Sequence, residues 1–477
     1  MKKIKTFCLS LSALMLSTAL ISCGSSSNRN FAYDEITGNT FSSYKPSETS
    51  GVMFQAYSWE SHKKNGTWWT TIANHGDEIG ETFEYAWFPP VSKSGDPYGY
   101  LPQEWKNYSS NFGNESGLKN AISAISPCKP IADIVINHRV GSTSYGDFKK
   151  PELGVVKNQN YMAICSTDEG FTKETNGMAS VPLAMRGAPD TGDDFNGGRD
   201  LDHTNPDVQA GIVEWMNELN DMGFVGWRYD YVRGYSAKYN GYYNAMARTE
   251  FSVGELWVDN NNLVPLWIKD SGNCIKNVDS VPSRAFDFAT KNALNHVFGG
   301  RNNNNYKEMN ASMNTNPIGN KNYAELAGSD LLFRKMPAWA VTFVDNHDTG
   351  STQSMYAIDR NDLGAAYAFI LTHPGIPCVA WQHYFTGTAD STSNDKVSTE
   401  GKTLHDHIKD LVALRKSLEI TNVSKIEILK KDYNTYAAKI TGKKGSLITT
   451  IGSSLYSCPS GYTTKYTGIN FAIYVSK

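Results

Sequence analysis

The feature that most constrains this chain is the stretch Gly226-Trp227-Arg228-Tyr229-Asp230-Tyr231-Val232-Arg233-Gly234-Tyr235. Residues 223–227 are apolar and punctuated by glycine, which reads as a buried strand. Charge follows at once. On a strand Arg228 and Asp230 share one face, because they are two residues apart. A buried Arg–Asp pair costs desolvation and is weak evidence for stability. It makes better sense at the open end of a strand, where loops build sites on a rigid scaffold. A plain structural ion pair is the competing reading. Three other stretches share the design: Ile131 to Arg139, Phe251 to Trp257 and Ala340 to Asp348. Each runs from apolar residues into carboxylates, amides or histidines. Four such strands in order predict an α/β fold, a (β/α)8 barrel whose C-terminal rim is the active site.

The rest of the pattern fits that frame. Gly51–Tyr57, Phe83–Phe88, Ala285–Phe288 and Ile376–Trp381 read as the first, second, sixth and eighth strands. Helices are predicted over Thr67–Ile79, Glu115–Ser126, Lys291–Phe298, Asp362–Thr372 and His405–Leu418. Val208, Ile212, Val213, Trp215, Met216 and Leu219 give one apolar helical face before the Asp230 strand. Between the third strand and this helix runs a long excursion, Val140 to about Arg199, rich in Gly, Asp and Asn. A stretch so long is functional or a small domain. Arg301–Asn305 reads as a polar loop. From Ile426 the pattern changes to short β-like runs, Ile426–Leu429, Thr435–Thr441, Ser446–Ile451 and Phe471–Val475, which predict a small antiparallel domain.

The four strand-end stretches resemble the four signature regions of the α-amylase family of glycoside hydrolases. Plant-type α-amylases and their bacterial relatives are the nearest likeness, through Phe343-Val344-Asp345-Asn346-His347-Asp348-Thr349-Gly350-Ser351 and His373-Pro374-Gly375-Ile376-Pro377-Cys378, and it covers about Gly51 to the C-terminus. The resemblance implies a TIM barrel over residues 51–139 and 200–420, a B domain over 140–199 and a C-terminal β domain over 421–477. It also implies hydrolysis of internal α-1,4-glucosidic bonds in starch- or glycogen-type glucans, with retention. Asp230 would be the nucleophile, Glu255 the acid/base and Asp348 the group that stabilises the transition state. Such hydrolysis needs two carboxyls, one of them an acid with a raised pKa. Arg228 beside Asp230 is expected to keep it ionised, and the apolar Leu256 and Trp257 to keep Glu255 protonated. The resemblance further implies substrate binding by Tyr100, His138, Arg233 and His347, with Arg228 beside them. Calcium is the implied cofactor. Asn137, Asp190 and Asp200 would supply side-chain oxygens to it, and Asp193 and Gly234 backbone carbonyls. Two alternatives stay open: a relative that prefers maltodextrins or transfers glycosyl groups, and a surface glucan-binding lipoprotein with no catalysis.

Composition bounds the partners. Net charge is −3, with no basic run suited to nucleic acid. The 26 Tyr and 11 Trp suit sugar faces as well as ordinary cores. Lys2, Lys3 and Lys5 precede a short apolar run, Leu9–Ile21, too short to span a membrane well. It ends in Leu20-Ile21-Ser22-Cys23-Gly24, which resembles a bacterial lipobox. Residues 1–22 then read as a lipoprotein signal, Cys23 as a lipidated anchor and residues 23–50 as anchor and tether. A plain secretory signal is the alternative. The expected protein is extracytoplasmic, lipid-anchored and monomeric. Beyond Cys8 and Cys23, the remaining five of seven cysteines show no CxxC spacing, so neither a zinc site nor a disulfide framework is predicted.

Overall fold

The structure is a computed structural model. It describes residues 34–141, 146–147, 160–172, 178–258, 260–299, 319–350, 352–353 and 356–477. The signal segment, Cys8, Cys23 and the Arg301–Asn305 loop lie outside the described residues.

Eight parallel strands close into a barrel: β1 Met53–Gln55, β2 Tyr85–Trp87, β3 Lys129–Ile134, β4 Gly226–Tyr229, β5 Phe251–Gly254, β6 Arg284–Phe286, β7 Ala340–Phe343 and β8 Ile376–Ala380. They pair in chain order, and β8 returns to β1 through Cys378↔Met53. The strands are buried on both faces, which is why they read as apolar runs rather than alternating ones. Helices follow the strands as α1 Trp68–Asn74, α2 Gly76–Thr82, α3 Glu115–Ala124, α4 Pro206–Met222, α5 Lys238–Met246, α6 Leu263–Asp270, α7 Phe288–Phe298, α8 Leu363–Thr372 and α9 Leu404–Ser417.

Two departures from expectation have local causes. The helix predicted over Thr67–Ile79 is two helices, broken at His75. The bend presses Gly76 onto α3, where a Cβ would come within 2.4 Å of the Ala124 carbonyl. The sixth strand stops at Phe286, and α7 begins three residues earlier than predicted. The reason is Asp287. Its buried carboxylate accepts from Thr290 N at 2.8 Å and caps the helix. It also accepts from Phe333 N at 2.9 Å.

The excursion between β3 and α4 is closed by a two-stranded ribbon, His138–Arg139 against Arg199–Asp200. The C-terminal sheet has five antiparallel strands, Lys425–Asp432, Thr435–Thr441, Ser446–Gly452, Tyr462–Gly468 and Phe471–Ser476. The fourth escaped the sequence pattern, because Tyr462-Thr463-Thr464-Lys465 is an edge with little apolar alternation. The sheet packs on α8, where Thr449 donates to Thr372 at 2.7 Å. From Asp34 onward the segment expected as a tether is docked: Ile36–Asn39 pairs antiparallel with Asn273–Ile275. Cys378 is buried in β8, and Cys128, Cys165, Cys274, Cys378 and Cys458 are all free.

Candidate active site

The barrel ladder runs on into the rim. Asp230 N donates to Ile134 O at 3.1 Å, and Glu255 N to Tyr229 O at 3.0 Å. Main-chain bonds therefore set both residues at the C-terminal ends of β4 and β5. Immediately after Asp230 the backbone turns sharply, with Tyr231 in the left-handed region at φ 43°. A bulky residue adopts that conformation only where its surroundings impose it.

Arg228 is the hub, and it is fully buried. Its Nη1 donates to both oxygens of Asp133, at 2.8 and 3.1 Å, and to Asp230 Oδ1 at 2.8 Å. Its Nη2 lies 2.6 Å from Glu255 Oε1, close enough for an ion pair but without hydrogen-bond alignment. Asp348, on the segment after β7, accepts from Gln353 Nε2 at 2.8 Å. Beneath this group, Asp133 Oδ2 also accepts from Trp87 Nε1 at 2.9 Å and from the Tyr100 hydroxyl at 3.0 Å.

The electrostatics follow from burial. Glu255 is pushed up to about 8, first by desolvation, with Asp230 and Asp348 adding to it against the pull of Arg228. Asp348 rises to about 7 and Asp133 to about 6, again led by desolvation. Asp230 is also raised by burial, with Arg228 drawing it back down. The arginine thus offsets desolvation of Asp230 only in part, where the sequence predicted that it would dominate. Burial pushes His138 down to about 4 and His347 well below its usual value, so both rings are neutral at pH 7.

Aromatic rings wall the site. Tyr100 stacks on His347, with centroids 5.3 Å apart and planes 11° apart. His347 Nε2 is 3.4 Å from Asp348 Oδ2, and its Nδ1 accepts from Gln55 at 2.9 Å. His138 pairs through Nε2 with the Tyr100 carbonyl at 2.8 Å, and its ring stacks on Phe195 at 3.8 Å. Trp59 and Tyr98 stack at 3.7 Å on the same side as His347. Arg233 lies between the excursion and the segment after Glu255, its Nη1 donating to the Trp257 carbonyl at 3.4 Å. Its guanidinium holds Asp193 Oδ2 from both Nε and Nη2, at 2.7 Å each.

A second cluster of acids lies where the excursion closes. Oxygens of Asp190, Asp194 and Asp200 lie within 4.8 Å of one another and could hold a metal ion. Two buried oxygens there, Asn137 Oδ1 and Asp190 Oδ2, have no hydrogen-bond partner among the described residues. Gly234 completes the cradle, since a Cβ there would fall 2.0 Å from Asn137 Oδ1. Burial, with the neighbouring carboxylates adding to it, raises Asp190 to about 7 and holds Asp200 well above the usual carboxylate range. Orphaned oxygens and mutually repelling carboxyls are the donor set of a hard cation, so the residues fit a calcium ion. The Asp193 side chain is not among those gathered there: it pairs with Arg233, and its N–H donates to the Arg233 carbonyl at 3.0 Å. Asp194 joins the cluster, although the sequence pattern did not single it out. A further group, Asp168, Glu169 and Asp200, is gathered as closely, but Arg199 already pairs with Asp168 and with Glu169.

Asp133 is the largest omission from the sequence-based site. Its signal was present, a lone charge inside the apolar run Ile131-Ala132-Asp133-Ile134-Val135. Gln55, Trp87 and Gln353 had no comparable signal.

A parallel barrel whose rim gathers carboxyls around one arginine, walled by aromatic rings, is the architecture of a glycoside hydrolase. Residues 77–417 match the model of the α-amylase catalytic domain. The chain belongs to the α-amylase family. It is 33% identical over 465 residues to probable alpha-amylase 2 of Arabidopsis thaliana, covering 93% of this chain and 98% of that one. It is 26% identical to a glucan 1,4-alpha-maltotetraohydrolase of Stutzerimonas stutzeri, covering 85% of this chain and 68% of that protein. Among solved structures it resembles the α-amylase of Geobacillus thermoleovorans complexed with acarbose, with TM-score 0.60 and 15% identity, covering 90% and 98% of the two chains. That last likeness concerns the fold.

Proposed function

We propose that the protein is an endo-acting α-amylase that cleaves internal α-1,4-glucosidic bonds of starch or glycogen with retention of configuration. The observation that carries this is the sharing of Arg228 between Asp230 and Glu255. Sharing one guanidinium keeps two carboxyls close. A separation of about 5–5.5 Å is the retaining arrangement, against about 6.5–9.5 Å in inverting enzymes. Asp230, the carboxyl hydrogen-bonded to the arginine, attacks the anomeric carbon as nucleophile. Glu255, raised to about 8, carries the proton for the leaving oxygen and then deprotonates the incoming water. Asp348 stabilises the distorted sugar, with the neutral His347 donating to its hydroxyls, His138 beside them with its Nε2–H held by the Tyr100 carbonyl, and Tyr100 offering a ring face. Proton NMR of amylose digestion tests the reading: the α-anomer should appear first, and chain length should fall faster than reducing ends accumulate. First-formed β-anomer would sink it. Release of a single short maltodextrin from chain ends would favour the maltodextrin-directed alternative, to which the maltotetraohydrolase relatives lend support.

Calcium is the proposed cofactor. Asn137, Asp190 and Asp200 would hold it through side chains, with the carbonyls of Asp193 and Gly234. Bound there, the ion supplies positive charge that ties the excursion to the ends of β3 and β4. Arg233 is assigned to the leaving-group side of the cleft. We also propose that the mature chain begins at Cys23 and is held by lipid at a bacterial membrane, facing away from the cytoplasm, as a monomer. The support is the basic, apolar and Leu20-Ile21-Ser22-Cys23 sequence of the first residues.

A further inference from the structure

We propose that Lys291 is a positioning residue for the Asp348 arm of the active site. The inference rests on the reading of Asp348 given above. Asp348 lies on a tight turn after β7. Within the turn, Asn346 Oδ1 accepts from Asp348 N and Thr349 N, each at 2.9 Å, and Thr349 Oγ1 accepts from Asn346 N at 3.0 Å. These bonds fix the turn's shape but not its place on the barrel. Its place is set by Asp345, which is buried beneath it. The Asp345 carboxylate accepts from Lys291 Nζ at 2.5 Å and Thr349 Oγ1 at 3.2 Å through one oxygen. Its other oxygen accepts from Ile358 N at 3.2 Å.

Lys291 comes from α7 and is 1% exposed. It also donates to the Tyr356 carbonyl at 2.8 Å. One ammonium therefore joins the departure of the turn to its return. The same helix touches the Glu255 arm. Trp257, two residues beyond Glu255, stacks on Phe288 at 5.2 Å and meets the ring of Tyr356 edge-on at 5.9 Å. Phe288 and Lys291 are three apart and so lie on neighbouring positions of α7. One rigid element thus sets the spacing between Asp348 and Glu255. A buried ion pair is replaced by apolar residues at little or no loss when stability is its only task. Here the pair starts from Asp345 at the departure of the Asp348 turn and bonds to the Tyr356 carbonyl and the Ile358 N–H at its return, which an apolar pair cannot do.

Lys291→Met keeps the aliphatic stem and removes the charge. Lys291→Met/Asp345→Asn removes both charges and leaves no buried carboxylate unpaired, so it decides the matter if the single variant does not fold. Both are assayed well below their own unfolding temperatures, on soluble starch and on an aryl maltotrioside with a good leaving group. The expected result is a kcat loss of roughly 10- to 100-fold on both substrates, the scale of a small misplacement. KM should stay within about threefold, because transition-state contacts and not ground-state ones are disturbed. A double variant with kcat within about twofold of wild type, or one changed in KM alone, overturns the proposal. A wild type that hydrolyses neither substrate instead overturns the functional reading on which it stands.

Discussion

Arg228 donates to both oxygens of Asp133 from beneath the rim, at 2.8 and 3.1 Å. The arginine is therefore already engaged before it reaches Asp230 and Glu255. One guanidinium faces four buried or half-buried carboxyls, Asp133, Asp230, Glu255 and Asp348, and every one of them is raised. The site is short of positive charge. Protons make up the difference, and the group that rises to about 8 is Glu255.

This charge shortage predicts a pH-dependent conflict with stability. An unfolded Glu titrates near about 4.3, and folded Glu255 near about 8. Between those values the folded protein binds more protons than the unfolded one, so this residue's contribution to stability falls as pH rises. Glu255→Gln should match wild type near pH 4 and exceed it at about pH 9, by on the order of a few kcal/mol. Asp348→Asn should show the same sign, with its window closing near 7. Calorimetry at saturating calcium measures both. A Glu255→Gln variant no more stable than wild type at pH 9 would show that the raised value is wrong. The alkaline limb of kcat/KM should follow the same ionisation.

The metal cradle predicts a severe effect from one methyl group. In Gly234→Ala the new Cβ would fall 2.0 Å from Asn137 Oδ1. The oxygen must move or the backbone must shift, at a cost of roughly 1–3 kcal/mol. Calcium should then raise the melting temperature of wild type far more than that of the variant, because a ligand stabilises the folded state by mass action. Asp200→Asn should raise the calcium needed for activity. An identical wild-type melting temperature in calcium and in strong chelator would remove the site.

The anchor predicts where the protein fractionates. Wild type should pellet with membranes, and Cys23→Ala should be released, because a single apolar run of this length is not a stable span and lipid supplies the hold. Mass spectrometry of the mature N-terminus checks the same point. A soluble wild type that starts elsewhere than residue 23 would end the lipoprotein reading.

How much was legible in the chain depended on where the determining contacts lie. Fully buried parallel strands announce themselves as apolar runs, and the polar residues that end them mark the rim. Asp230, Glu255 and Asp348 could therefore be put at strand ends from the residue pattern alone. Asp287 caps through Thr290, three residues on, which was legible in principle, but its second bond, to Phe333 N, is 46 residues away in sequence and was not. Asp133 was visible as a charge in an apolar strand, but its partners Arg228, Trp87 and Tyr100 come from three other segments. The Lys291–Asp345 pair spans 54 residues and has no local pattern. The described residues of the excursion between β3 and α4 hold only short 3-10 turns and a two-residue ribbon strand at each end, which leave no periodicity to read. Their ordering comes from side chains such as Asp200 and Asp202 bonding to backbone, which composition alone does not reveal.

The division of labour among the three carboxyls gives the last prediction. Asp230→Asn keeps the shape and removes the nucleophile, so formation of a glycosyl-enzyme should all but stop on every substrate. Glu255→Gln removes the proton donor. It should cripple hydrolysis of starch, yet spare the first step on an aryl maltoside whose leaving group needs no proton. Asp348→Asn should slow both substrates, because its contact strengthens only as the sugar distorts. Each loss on starch should be roughly a thousandfold or more, the scale of single catalytic groups. Azide should rescue Asp230→Gly and yield the inverted glycosyl azide, since a small anion can attack where the carboxylate stood. Arg228 complicates the comparison. It touches Asp230 by a hydrogen bond and Glu255 only by proximity, so loss of the Asp230 charge frees the arginine to hold Glu255 more firmly ionised. The acid/base pKa should therefore drop in Asp230→Asn, seen as a downward move of the Glu255 carboxyl titration in infrared difference spectra. No move would mean that Asp230 is the protonated partner, whose replacement by Asn removes no charge, with Asp230 as the acid and Glu255 as the nucleophile.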